Sequence, residues 1–217
     1  IDMIICMYNE QDKEIFPFAS RLKDEGRGIP FILLIHYSKA VRQRVLESPH
    51  PGVDFVFSWH GNADLILAIV KLLEDAANAE NDVFEVGVKG ILLVEDSIRY
   101  YSNYLPELYK IVLTQSREFL TESLNDDQKK YRKRSRPKIF LATCLEEAIA
   151  YFEKYRRNLL GVISDVGMVF HKGDDPKTEK LDAGIDLVRI IREYDPLMPV
   201  LLQSSQGSLA KTAAELG

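Results

Sequence analysis

Short aliphatic runs alternate with amphipathic stretches along the whole chain, the pattern of a parallel sheet with helices on both faces. In the first part, "MIICM" (residues 3–7), "PFILLI" (30–35) and "VDFVF" (53–57) predict strands. Helices are expected over residues 14–23, 39–47 and 63–77; in the last, Leu65, Ile66, Ile69, Leu72 and Leu73 make one apolar face. The polar segment 78–89 reads as a linker, and a second series begins at Gly90. Its strands are expected at 91–94 ("ILLV"), 138–142 ("KIFLA"), 160–163 ("LGVI") and 199–203 ("PVLLQ"). Between the first two, Ile98, Tyr101, Leu105, Leu108, Val112 and Phe119 keep helical spacing over residues 97–130. At 1.5 Å per residue such a helix spans on the order of 50 Å, roughly twice what crosses one small sheet. Part of it is therefore expected to project, with Pro106 as a kink or the start of a second segment.

With 217 residues, 46% of them apolar and 28% charged, the chain has room for one large domain or two small ones. A net charge of -5 argues against a nucleic-acid-binding body, which needs a basic face for phosphates. No run approaches the roughly 20 apolar residues of a membrane span, and no signal peptide is visible. Cys6 and Cys144 stand in no metal or redox spacing and read as core thiols of a reducing, cytoplasmic compartment. The chain opens on Ile1 rather than Met, so it is expected to be a fragment of something longer.

The chemistry gathers where strands end. "ILLVEDS" runs an apolar strand straight into Glu95 and Asp96, an arrangement that costs repulsion and desolvation unless a cation sits between the carboxylates. Asp165 closes the third strand of the second series, in "LGVISDVGM", and Ser204 and Ser205 follow the fourth, in "LLQSS". Loops at the carboxyl ends of parallel strands share one edge, where ligands of such folds bind. In a doubly wound order 2-1-3-4-5 the first and third strands are neighbours. Glu95, Asp96 and Asp165 would then share one pocket, suited to a hard divalent cation such as Mg²⁺.

These residues resemble the receiver domain of two-component response regulators, the family of the chemotaxis response regulator. The resemblance implies an α/β, flavodoxin-like doubly wound parallel sheet and signal transduction by phosphorelay. Glu95 and Asp96 match its acidic pair, Asp165 its phosphoacceptor, Ser204 its switch hydroxyl and Gly167 the backbone carbonyl on the metal. Mg²⁺ is the implied cofactor and a sensor histidine kinase or phosphotransfer protein the implied partner; the function is a switch rather than an enzyme's turnover. The loop from Asp165 to Gly184 is longer than the family usually has, so a lid or partner-contact loop is expected there. The family's lysine after strand five has no counterpart, because Lys211 comes too early.

On the same pattern, residues 1–80 resemble strands three to five of a second, degenerate receiver, with Met7, Ile35 and Trp59 at the phosphoacceptor, switch and lysine positions. None of these side chains binds Mg²⁺ or takes a phosphoryl group. The expected organisation is thus two incomplete receiver units, 1–80 and 90–217, joined by a linker at 81–89. The second would lack strand five and the last helix, and a composite or swapped domain is an alternative. The missing strands would leave the edge at residues 3–7 exposed.

Other readings stay open. The chain could be a pseudo-receiver interaction module that is never phosphorylated and self-associates through the helix 97–130, regulating a larger enzyme. An aspartate-nucleophile phosphatase wants a second Asp where Gly167 stands. The segment from Ile91 to Leu120 is also similar to the amino-terminal receiver region of large proteins carrying a phosphoenolpyruvate synthase or pyruvate phosphate dikinase domain. His171 reads as solvent-exposed and Asp174 and Asp175 as loop charges close to the acidic edge. Tyr100, Tyr101, Tyr104 and Tyr109 read as packing residues of the long helix. The basic run 129–138, "KKYRKRSRPK", reads as a solvated helix end, with a partner patch as the alternative.

Overall fold

A computed structural model describes residues 2–9, 11–12, 14–26, 28–36, 38, 52–121 and 136–204. The helix expected at 39–47, Ser205, Lys211 and residues 122–135 lie outside these. The chain divides into two compact units. Residues 1–67 and 98–106 form the first, and residues 68–97 and 107–217 the second. Both are α/β with parallel strands.

In the first unit β1 (Ile4–Met7), β2 (Phe31–Ile35) and β3 (Phe55–Ser58) pair in the order β1-β2-β3. The all-aliphatic-and-aromatic run of β2 is central and buried at every position, as a continuous apolar strand demands. Helix α1 (Ile15–Asp24) buries Ile15, Ala19 and Leu22 at helical spacing. Lys23 Nζ donates to both carboxylate oxygens of Asp54, at 2.9 and 2.7 Å, and the Phe31 N–H donates to Asp54 Oδ2 at 2.7 Å. The outer edge of β3 is closed by side chains from residues 98–106. The Tyr101 hydroxyl donates to the Val56 carbonyl, and the Ser58 N–H donates to Ser102 Oγ at 2.9 Å. Each satisfies a backbone group that an edge strand would leave open. β1 is the other edge, and Met7 at its end is exposed.

Gly52 marks a close approach: a Cβ added there would fall on the backbone of Ala19 in α1. Gly52→Ala is therefore expected to lower the unfolding free energy by about 1–3 kcal/mol through forced backbone displacement. Urea denaturation checks this, and an unchanged midpoint would contradict it.

In the second unit β4 (Gly90–Val94), β5 (Lys138–Ala142), β6 (Leu159–Asp165) and β7 (Val200–Gln203) form a parallel sheet of order β5-β4-β6-β7. Counted from β4 this is 2-1-3-4, compatible with a flavodoxin-like fold. Among the described residues the two sheets share no strand. Helices α4 (Leu145–Tyr155) and α5 (Ala183–Tyr194) pack Leu145, Ala148, Phe152, Leu187 and Ile191 with Leu92, Val94, Phe140 and Val162 of the sheet.

The segment 81–89 is not a linker. Helix α2 (Asp64–Glu80) continues into a π-helical turn, Asn81–Glu85, and Val83 is 1% exposed within the second core, with Val88 also buried. The surrounding polar residues hid these two apolar anchors from a composition-based reading. Helix α3 (Ile98–Thr121) runs through Pro106 as one element, about 36 Å long. Tyr101 and Tyr109 are buried and Tyr100 is exposed, so packing describes only part of the tyrosine set.

The end of the basic run also differs from expectation. Arg136 and Lys138 turn inward, 9% and 5% exposed, onto Asp75 of α2. Arg136 donates to Asp75 Oδ1 and Oδ2 at 2.5 and 3.0 Å, and the Tyr109 hydroxyl and Ile139 N–H reach Oδ2 at 2.9 and 3.0 Å. Lys138 Nζ lies 2.5 Å from Asp82 and 3.5 Å from Asp75.

Candidate functional site

The carboxyl ends of β4, β6 and β7 form one edge of the second unit's sheet. Val94 pairs with Ser164 and Asp165 with Gln203, so Glu95 and Asp165 leave adjacent strands side by side, and Ser204 follows on the next. The Glu95 N–H donates to the Ala142 carbonyl at 3.0 Å, which continues the ladder to β5 and fixes the first carboxylate over the sheet edge. Glu95, Asp96 and Asp165 each present an oxygen within 4.8 Å of the others. Three of the sequence-predicted site residues therefore converge.

Glu95 is 2% exposed. Its Oε1 accepts the Ser97 N–H at 3.1 Å, while Oε2 accepts nothing from any described residue. Burial, followed by the charge of Asp165, pushes Glu95 up to about 8, with Asp96 and Glu179 adding to the effect and the Ser97 N–H opposing it. Burial also raises Asp165, against the backbone N–H groups of Val166 and Gly167 that hold its charged form. The Val166 N–H donates to Asp165 Oδ1 at 2.7 Å and orients the carboxylate. A buried carboxylate with an orphaned oxygen, facing two others, fits a hard divalent cation.

The loop between β6 and α5 shapes this edge. The N–H groups of Leu145 and Glu146, in the first turn of α4, donate to the carbonyls of Val169 and Phe170, each at 3.0 Å. The loop thus supplies the cap that Cys144, at the N-cap of α4, does not. An antiparallel bridge joins Met168 to Lys180, and Met168 and Val169 are buried. At its far end a Cβ on Gly184 would strike the backbone of Asp165 and Val166, so the absence of a side chain lets α5 start against the site strand.

Asp174 and Asp175 stay out of the cluster. Asp174 accepts the His171 N–H at 2.9 Å and Asp175 the Lys177 N–H at 3.0 Å. His171 is exposed, with Nδ1 3.0 Å from Glu146 Oε2, and that carboxylate raises its affinity for a proton. Glu179, by contrast, comes close to this edge: a Cβ on Gly167 would fall on its Oε1. Nothing in the local pattern separates Glu179 from the other loop acids; only the Met168–Lys180 bridge places it.

In the first unit Met7, Ile35 and Trp59 stand at the carboxyl ends of its three strands, and the Trp59 N–H donates to the Ile35 carbonyl at 2.8 Å. No helix of the described residues is long and apolar enough to cross a membrane. The chain matches no protein-family profile, no curated protein and no solved structure.

Proposed function

We propose that the second unit is a phosphoacceptor switch in which Asp165 takes a phosphoryl group with Mg²⁺ held by Glu95, Asp96 and Asp165. The observation that carries this reading is the convergence of the three carboxylates on one sheet edge, with Glu95 buried there. When bound, Mg²⁺ supplies charge neutralisation for the incoming phosphoryl group. A carboxylate oxygen of Asp165 attacks phosphorus, the bond from phosphorus to the donor breaks, and the electron pair leaves with the donor. The Val166 N–H keeps the Asp165 carboxylate oriented for this attack.

The product, an aspartyl phosphate, adds negative charge and acceptor oxygens at the edge where Ser204 follows β7, and the Ser204 hydroxyl is the donor this reading assigns to them. The reaction alters the state of the loop edge and does not turn over substrate. The donor is a phosphohistidine of a kinase or phosphotransfer protein. The first unit, with Met7, Ile35 and Trp59 at the corresponding edge, is a degenerate receiver portion without this chemistry.

Incubation with acetyl phosphate and Mg²⁺ followed by intact-mass measurement is expected to add one phosphoryl group to the wild type and none to Asp165→Ala. Equal labelling of the two, or no labelling of the wild type, would sink the proposal.

A further inference from the structure

Glu179 stands exposed beside the acidic edge. Its backbone is held because Lys180 exchanges two hydrogen bonds with Met168, at 3.2 and 3.0 Å. Its side chain reaches back toward the site strand, with Oε1 in the space a Cβ on Gly167, two residues beyond Asp165, would fill. Lys180 directs its own ammonium elsewhere, to Asp186 and to Asp182 at 3.8 Å. Among the described residues no cation and no hydrogen-bond donor pairs with the Glu179 carboxylate.

Glu179 is exposed, and its charge adds to the negative potential of the three acids beside it, which a bound cation would relieve. Glu179 is not one of the three whose oxygens lie within 4.8 Å of one another, so it stands further out than the direct ligands. Mg²⁺ gives up its waters reluctantly and keeps several in protein sites. Outer carboxylates that hold such waters commonly set metal affinity within a factor of about 10–100.

We propose that Glu179 is a positioning residue for the cation: its carboxylate accepts a hydrogen bond from a water retained on Mg²⁺ at Glu95, Asp96 and Asp165. This rests on the cation site proposed above. Because Glu179 lies next to the Met168–Lys180 bridge, the water links occupancy of the site to the order of the whole β6–α5 loop. The bridge already closes the loop at its base, so the link needs only a side-chain contact. A partner reading that loop would then sense the cation as well as the phosphoryl group.

Titration calorimetry with Mg²⁺ on the 217-residue protein, its Glu179→Gln and Glu179→Asp variants and Asp165→Asn tests this, together with hydrogen exchange of amides 168–180 with and without Mg²⁺. Glu179→Gln and Glu179→Asp are both expected to weaken Mg²⁺ binding about 10–100-fold. The second keeps the charge but withdraws the oxygen. Mg²⁺ should slow loop exchange in the wild type and in neither variant. Wild-type affinity in both variants overturns the inference, and so does wild-type affinity in Glu179→Asp alone, which would leave Glu179 acting through charge only. No Mg²⁺ binding by the wild type defeats the cation reading itself, whereas binding abolished by Asp165→Asn but indifferent to Glu179 defeats only this inference.

Discussion

Replacing Asp75 by Ala is expected to destabilise the second unit by about 3–5 kcal/mol, the range for removing one partner of a buried ion pair. Asp75 is fully buried and accepts from Arg136, Tyr109 and the Ile139 N–H, with Lys138 Nζ at 3.5 Å. Its removal takes the carboxylate from a guanidinium left with only the Pro137 carbonyl, and leaves the Tyr109 hydroxyl and the Ile139 N–H without this acceptor in a buried site. Burial and the Asp75 charge both drive the Tyr109 hydroxyl to stay protonated, so it donates at any working pH. Asp75→Asn keeps the shape and one acceptor but drops the charge, and is expected to recover only part of the loss. Urea unfolding of the three proteins decides the matter: a loss below about 1 kcal/mol in Asp75→Ala would mean that the network is energetically neutral.

The second large effect is a dependence of stability on pH carried by Glu95. In the unfolded chain this carboxyl ionises near 4.5, and in the folded protein near 8. Below pH 4.5 both states hold the proton and Glu95 contributes no difference. Between 4.5 and 8 only the folded state holds it, so unfolding releases a proton and stability falls as pH rises. Above 8 the folded state carries the whole penalty, of order 5 kcal/mol for a displacement of this size. The Glu95→Gln variant, which mimics the neutral acid, isolates the effect from other carboxylates.

The difference in unfolding free energy between wild type and Glu95→Gln should be flat at low pH and grow in favour of the variant up to about pH 8. Under the proposed function, saturating Mg²⁺ is expected to cancel that growth for the wild type, because the cation binds the ionised form and displaces the proton. A pH-independent difference would contradict the burial argument. Growth that Mg²⁺ leaves untouched would leave Glu95 buried and titrating but not a ligand.

Both effects follow from acids placed in apolar surroundings, yet only one was legible in the chain. Glu95 ends a run of aliphatic residues, so its strand-end position and its like-charged neighbour are visible in one short segment. Asp75 was equally visible in principle, three residues after Leu72 and four before Ala79 on one helical face, but its partners are separated from it by more than thirty residues. Arg136 and Lys138 belong to a basic run that composition assigns to solvent, and no local pattern pairs them with a helix so distant in sequence. The same limit explains residues 81–89, where Val83 and Val88 are too few to outweigh polar neighbours in a window but enough to anchor a turn against a core.

What the sequence by itself determined was the alternation of strand and helix, the parallel α/β class, and the identity of Glu95, Asp96 and Asp165 as strand-end acids, because period and turn chemistry are local. Tertiary structure decided the strand order β5-β4-β6-β7, which makes β4 and β6 neighbours and so turns three separate acids into one cluster. It also decided that the loop after β6 folds back through the Met168–Lys180 bridge and brings Glu179 to that edge, and that residues 98–106 close the β3 edge of the first unit. Each of these depends on hydrogen bonds and burial between segments far apart in the chain, which the spacing of residues along it does not encode.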